Sequence, residues 1–366
     1  MGQVEDVEGL PLGQFSRSII RERIRGKEDR FYWKGNTVVV RHGVSSARGI
    51  YVKTSFFVTG AAGCVGQAFM ERLIPIGAGV VGLDVALLPA GIRVSEWIRC
   101  DILDAGGYAG KLRGIDVVIH LAAMAHSVPR TKEDADRFWK VNLGGTKTLI
   151  AAAVEQGVRR FVHVSTVSVL SPSGGGIASA YPDSKWAAER EVFGFKDRIE
   201  IIVVRPTTVY GPNDRGNIFK LIRWVDRGLP AIIGSGENRK SLLYSRNLSD
   251  ALLFLSEHGK SGESYVVTDG HDLSMKEIVR EISRFLGRGN RWPSIPLAAV
   301  EAVTGFNEWA ADLFGFPRLF GRDMVKKLTE ETVYDPSPLF SLGFRPMYSF
   351  DQGIEETVRW YRHSAR

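Results

Sequence analysis

Cysteine is nearly missing from this chain: Cys64 and Cys100 are the two among 366 residues. That excludes a disulfide framework and zinc held by four thiolates. No apolar run approaches the ~20 residues that a membrane-spanning helix requires. The opening, Met1 to Leu10, is acidic and lacks the basic-then-apolar pattern of an export signal, so a cytoplasmic location is expected. The seven histidines form no spaced ligand set, and no metal is expected. Internal repeats and low complexity are absent as well. The composition, 44% apolar and 24% charged, is that of an ordinary globular chain able to bury a sizeable core.

An excess of one charge is also scarce once it is located. The net charge is +7, and ten Lys/Arg against six Asp/Glu in residues 1–54 supply more than half of it. Residues 1–54 read as a basic N-terminal extension open to disorder, either an appendage or an upstream extension of the reading frame. A short helix at Ser18–Ile24 and a strand at Thr37–His42 are its only local signals. A nucleic-acid or anionic-membrane patch around Arg17–Arg30 is the alternative. There RSIIRERIRGKEDR interleaves acids with its bases, which weakens the electrostatic case, and no nucleic-acid partner is expected.

What the chain does contain begins at Ser55. Short, nearly continuous apolar runs alternate with helical stretches: SFFVTG, AGVVGLD, EWIRCDI, DVVIHLAA, RFVHVST and IEIIVVRP. Helices are predicted around Val141–Gln156 and Lys185–Phe195. Strands of this kind, separated by helices, predict an α/β fold with a doubly wound parallel sheet covered on both faces. After Pro206 the pattern loosens. Helices are predicted at Ile218–Arg227, Leu248–Glu257, Ser274–Leu286 and Leu297–Leu313, with a strand at SYVVTD and a closing amphipathic helix in FDQGIEETVRWYR.

The first strand runs into Thr59-Gly60-Ala61-Ala62-Gly63-Cys64-Val65-Gly66, and a helix follows. Gly60 permits a tight turn, Gly63 lets backbone approach a pyrophosphate, and Gly66 lets helix and strand lie close. The helix N-terminus supplies free N–H groups and a positive dipole end to the anion. Asp84, at the end of the second strand, suits the ribose hydroxyls of NAD and repels the extra phosphate of NADP, although Arg93 or Arg99 could reach one. Asp101 and Asp104 follow the third strand. An acid there can accept from an adenine amino group, or simply cap a helix.

Tyr181 and Lys185, in YPDSK, stand four apart on one helical face. A phenol titrates near ~10, too high for a base at neutral pH. A neighbouring ammonium and a positive nicotinamide ring are expected to lower it. Tyr181 would then move a proton at an alcohol oxygen while hydride moves at nicotinamide. The preceding strand ends in Ser165-Thr166. Thr166 is the expected hydroxyl partner, with Ser165 and Ser168 as competitors.

From about Ser55 to Arg362 the chain resembles an extended short-chain dehydrogenase/reductase of the NAD-dependent epimerase/dehydratase family. TGAAGCVG resembles the family's glycine loop, CDILD its adenine contact, and HLAA the segment lining the coenzyme after strand four. Asn142 in KVNLGGT, Thr166, the Tyr181/Lys185 pair and RPTTVYGP at 205–212 match further motifs. The resemblance implies a Rossmann-type domain at 55–206 and a smaller, mixed substrate domain at 207–366, with some segments returning to the large sheet. It implies NAD contacts at Gly60, Gly63, Cys64, Val65, Gly66, Asp84, Asp101, Ile102, Leu121, Ala122, Ala123, Asn142, Ser165, Tyr181, Lys185 and Pro206. Catalysis falls to Tyr181, Lys185 and Thr166, and substrate binding to Thr166, Asn217, Arg239 and Lys240. A basic fork at Arg239/Lys240 would suit a substrate diphosphate, Lys240 being the better match to the family's arginine. His120 reads as a coenzyme neighbour. The resemblance also implies a homodimer through the helix carrying Tyr181.

The residues after Thr166 are Val167-Ser168, where the family's 4,6-dehydratases carry Asp-Glu. That places water elimination low. The expected activity is an NAD-dependent C4 epimerase of a nucleotide sugar, with a UDP-sugar first. The alternative is an NAD(P)H-dependent 4-ketoreductase or dehydrogenase serving surface polysaccharide. A non-catalytic dinucleotide-sensing protein ranks lower, because such proteins lose the Tyr/Lys pair. The apolar stretch LAAVEAVTGFNEWAADLFGFP is read as core or dimer packing.

Overall fold

The computed structural model describes residues 30–34, 37–41, 54–125, 129–171, 175–229, 231–289, 294–300, 302 and 329–364. Within the leader, β1 (Arg30–Lys34) and β2 (Thr37–Arg41) pair antiparallel, and β2 falls where a strand was expected. The Ser18–Ile24 helix lies outside the described residues; of the Leu297–Leu313 helix, 297–300 are helical and most of the rest lies outside the described residues.

The large sheet is built from β3 (Ser55–Thr59), β4 (Gly79–Asp84), β5 (Glu96–Arg99), β6 (Val117–His120), β7 (Arg160–Val164), β8 (Glu200–Pro206) and β12 (Glu263–Val267). Its order is β12-β8-β7-β6-β3-β4-β5, and every pairing is parallel. Strand alternation divides its side chains between two cores. Phe56 meets Phe69 of α1 (Cys64–Leu73) edge-on at 5.8 Å. Phe57, one residue on, points the other way, to Tyr108 and the helices α3 (Thr146–Glu155) and α4 (Ala180–Phe193). Helices on both faces explain why β7 is buried along its whole length.

Two helices differ from expectation in instructive ways. The one predicted to begin near Lys185 begins at Ala180, because Pro182 in a first turn lacks only an N–H that would have no helical partner. The helix predicted from Val141 is preceded by α2 (Lys132–Phe138), and a π-helical segment over Trp139–Gly145 joins α2 to α3. Such bulges cluster at functional sites, and this one contains Asn142.

A smaller mixed sheet has the order β13 (Asp272–Ser274), β11 (Arg239–Tyr244), β9 (Thr208–Tyr210). It packs with α5 (Asn217–Asp226), α7 (Met275–Leu286) and the closing helix α9 (Phe350–Ser364) around a third core. A short parallel pair, β10 (Ile232–Ile233) with β14 (Ser294–Ile295), lies beside it. Helix α6 (Ser245–His258) returns to the large sheet's core, and β12 closes that sheet's edge.

Gly353 marks where α9 docks. A Cβ there would sit 2.7 Å from the Tyr210 hydroxyl and 2.9 Å from the Tyr244 ring, both fully buried. Gly353→Ala gains about 1 kcal/mol of helix propensity but overpacks the joint by about 1–3 kcal/mol. The variant should denature at lower urea; an equal or higher midpoint would contradict this packing.

Candidate active site

The glycine loop follows β3 and folds as its residues dictate. Gly60 has φ +67°, and a Cβ on it would meet the backbone N of Ala122 at 2.7 Å. A Cβ on Gly66 would lie 2.4 Å from the Gly60 carbonyl. Only hydrogen fits at either position, which is what packs α1 against the end of β3. Gly63 precedes α1 without a side-chain cap, so the first-turn N–H groups remain directed at an anion. Asp84 braces the loop: its Oδ2 accepts from Ala62 N at 2.9 Å and its Oδ1 from Ala86 N at 3.0 Å. Replacing Asp84 by Ala should therefore weaken coenzyme binding and lower thermal stability together, as tested by titration with NADH and by melting. Burial, with Asp214 nearby, pushes the Cys64 thiol up to about 12, and its sulfur is hydrogen-bonded to Ser245.

The floor beside the loop is a buried relay. Ala122 N donates to Thr59 Oγ1 at 3.2 Å, and Thr59 Oγ1 lies 2.8 Å from His120 Nδ1. His120 Nε2 lies 2.8 Å from Thr146 Oγ1, which donates to the Asn142 carbonyl at 2.6 Å. Thr146 spends its one hydrogen on Asn142, so His120 carries its proton on Nε2 and accepts from Thr59 at Nδ1. Burial, then the Lys185 ammonium, hold this imidazole neutral, down to about 3. His163 packs against it in a tilted arrangement at 5.3 Å, is fully buried, and is held neutral by burial, Lys185 and His120.

Asn142 is a buried bracket. Its Oδ1 accepts from Met124 N at 2.7 Å, and its Nδ2 donates to Met124 O at 3.2 Å and to Ser184 Oγ at 3.0 Å. Ser184 in turn donates to the Tyr181 carbonyl. The π-helical turn thus fixes both the loop after β6 and the first turn of α4.

On that turn stand the reactive groups. The Tyr181 hydroxyl is hydrogen-bonded to the Thr166 side chain, which also accepts from Ser168 N at 3.2 Å. Phe138 packs edge-on to the Tyr181 ring. Lys185 is buried, and its Nζ donates to the Val164 carbonyl at 2.6 Å. Burial dominates the electrostatics of the pair. Burial raises Tyr181 above the ordinary phenol range, the Thr166 hydrogen bond pulls it partly back, and Lys185 is not among the causes. Lys185 is itself brought down to about 8 by burial, against the pull of Glu189. Sequence reasoning missed Glu189, one turn past Lys185, which takes Arg205 Nε at 3.0 Å and Arg205 Nη2 at 2.6 Å. The spacing from Lys185 was the available signal. Ser165 is buried, with its Oγ unpaired among the described residues.

Residues 56–268 match the family described as NAD dependent epimerase/dehydratase. This chain belongs to that family. The UDP-glucose 4-epimerase of Vibrio cholerae is 31% identical over 269 residues, covering 68% of this chain and 77% of that one. A 3 beta-hydroxysteroid dehydrogenase/Delta 5-->4-isomerase of Mycobacterium tuberculosis is 28% identical over 83% of this chain and 89% of its own. Among solved structures, the dTDP-glucose 4,6-dehydratase of Streptomyces venezuelae with NAD bound superposes with a TM-score of 0.65 at 26% identity, covering 85% of this chain and 97% of that one.

The residues present fit the family's coenzyme. The glycine cradle that a Cβ would fill, the uncapped start of α1 and Asp84 make a dinucleotide groove, and NAD is the cofactor. Around this groove stand Val65, partly buried against the core, and the partly buried Leu121–Ala123 segment, tied to Thr59. Pro206 is buried at the end of β8. Asp101 accepts from Leu103 N and is exposed, while buried Ile102 packs on Gly145.

The expected diphosphate residues are not gathered into one fork. Arg239 and Lys240 are neighbours on β11, so they point to opposite faces. Arg239 donates to the Asp272 carbonyl at 2.8 Å, beside a cavity of about 670 Å³ also lined by Lys276, Glu277 and Arg280. Lys240 turns the other way and donates to the Glu330 carbonyl. Asn217 opens α5 and is exposed.

Proposed function

We propose that the protein is an NAD-dependent nucleotide-sugar C4 epimerase, with a UDP-sugar as its first substrate class. The observation that carries this is the Tyr181–Thr166 hydroxyl pair, followed directly by Val167-Ser168. The pair serves one alcohol–ketone interconversion. Nothing at 167–168 can remove and return the protons of a water elimination. Asp84 and the likeness to the Vibrio enzyme support a recycled NAD and a sugar nucleotide.

Thr166 orients the sugar's C4 oxygen, and Tyr181 takes its proton. NAD, when bound, supplies the hydride acceptor and a positive ring that favours the phenolate. Lys185, fixed by the Val164 carbonyl and the Glu189 charge, keeps positive charge behind Tyr181. After the ketone has turned in the site, Tyr181 returns the same proton to the oxygen, so no net proton or hydride is consumed. Lys240, on the β11 face opposite Arg239, is the cation assigned to the diphosphate. The exposed Trp186 on α4, with exposed Trp139 and Ile177, supports a homodimer through that helix.

The test is incubation of the protein with UDP-, GDP- and dTDP-sugars, following product stereochemistry and absorbance of reduced coenzyme. The 4-epimer should accumulate with no net NADH. Stoichiometric oxidation of NADH with a 4-keto sugar would instead establish the ketoreductase.

A further inference from the structure

The chain segment 330–334 runs parallel to the start of β11, and neither the glycine loop nor the Tyr/Lys motif accounts for it. It is laid along the edge of β11. Thr332 N donates to Arg239 O at 2.9 Å, Ser241 N to Thr332 O at 2.8 Å, and Tyr334 N to Ser241 Oγ at 3.0 Å. Lys240 Nζ holds the Glu330 carbonyl. Side chains of an extended segment alternate. Val333 is 48% exposed, whereas Thr332 and Tyr334 are partly buried, so Tyr334 points inward. Its hydroxyl is hydrogen-bonded to the side chain of Ser171. Beyond Asp335 the chain enters α8 (Ser337–Ser341), whose Leu339 packs into the large sheet's core.

The segment thereby joins two places that the proposed function uses. At one end is Lys240. At the other is the turn that begins at Thr166 and ends at Ser171, where Ser171 N donates to Ser168 O. Four extended residues at ~3.3 Å each span about 13 Å from Glu330 to Tyr334. On the nucleotide-sugar reading, the diphosphate is assigned to Lys240 and the C4 oxygen to Thr166 and Tyr181, and the segment has contacts with Lys240 at one end and with the end of the Thr166 turn at the other. Thr332 and Tyr334 share the inward face, and the Tyr334 hydroxyl is the one that reaches Ser171 at the end of the catalytic turn.

We propose that Tyr334 is a sugar-positioning residue. Ser171 holds its hydroxyl ready in the free protein, and the hydroxyl passes to a pyranose hydroxyl when a nucleotide sugar binds. Because the backbone carrying it is fixed by several hydrogen bonds, the group is preorganised and the exchange costs little ordering. The assignment rests on the nucleotide-sugar reading above, and it names the sugar rather than the nucleotide as the part Tyr334 recognises.

The experiment compares wild type, Tyr334→Phe and Ser171→Ala by calorimetric titration with UDP, with UDP-glucose and with NADH. Loss of one hydrogen bond to the sugar should weaken UDP-glucose binding by Tyr334→Phe about tenfold, leaving UDP and NADH unchanged. Ser171→Ala should bind UDP-glucose as well as wild type or better, since it removes the competing partner. If Ser171→Ala loses as much as Tyr334→Phe, the contact is a structural latch and the proposal falls. It falls alone if wild type and Tyr334→Phe bind UDP-glucose equally. Wild type that binds NADH but neither UDP nor UDP-glucose overturns it together with the nucleotide-sugar reading.

Discussion

Tyr181→Phe should reduce turnover by about 10²–10⁴-fold, the contribution of a positioned general acid–base, with NADH affinity unchanged. The substitution removes one oxygen from a ring that Phe138 packs against, so shape and apolar contact persist. Thr166 keeps its hydrogen bond from Ser168 N and stays in place. The proton, however, loses its acceptor. Thr166 cannot substitute, because its hydroxyl has neither an adjacent base nor a pKa within reach of neutrality. Single-turnover reduction of bound NAD, monitored by absorbance, isolates the step. If hydride moved in the variant at the wild-type rate, Tyr181 would not be the proton acceptor.

The second large effect is expected at Glu189, on the helix turn behind the chemistry. Its carboxylate is almost fully buried and holds Arg205 with two hydrogen bonds, whereas the Arg205 side chain is 21% exposed. Removing one partner of a buried pair costs about 3–5 kcal/mol, and partial hydration of Arg205 favours the lower end. Glu189→Gln should therefore melt well below wild type. It should also move the pH profile. Burial has already brought Lys185 down to about 8, and Glu189 is what opposes it. A lysine is cationic below its pKa, so activity that needs the ammonium is present at lower pH and lost as pH rises through that value. Without Glu189 the alkaline limb should shift to lower pH. A lowered melting point with an unmoved limb would show a purely structural pair.

Much of the site was legible because its signals are local. Gly60, Gly63 and Gly66 sit within one turn and one helix start, and steric exclusion of Cβ is a property of that short stretch. Tyr181 and Lys185 share a helical face by spacing alone. The helix predicted around Lys185 starts five residues earlier, at Ala180, because a first turn tolerates Pro182. At Tyr181, spacing gives proximity to Lys185 but not burial, and burial is the largest influence that the protein itself exerts on that phenol.

By itself, then, the amino-acid order determined the alternating sheet, the phosphate cradle and the Tyr/Lys pair, all written in short periods and glycine positions. Tertiary structure decided how those parts act. It sent Arg239 and Lys240 to opposite faces, set the His120 ring between Thr59 and Thr146, paired Glu189 with Arg205 and brought Tyr334 to Ser171. These outcomes depend on strand register, burial and contacts between residues far apart in the chain, which no local pattern encodes.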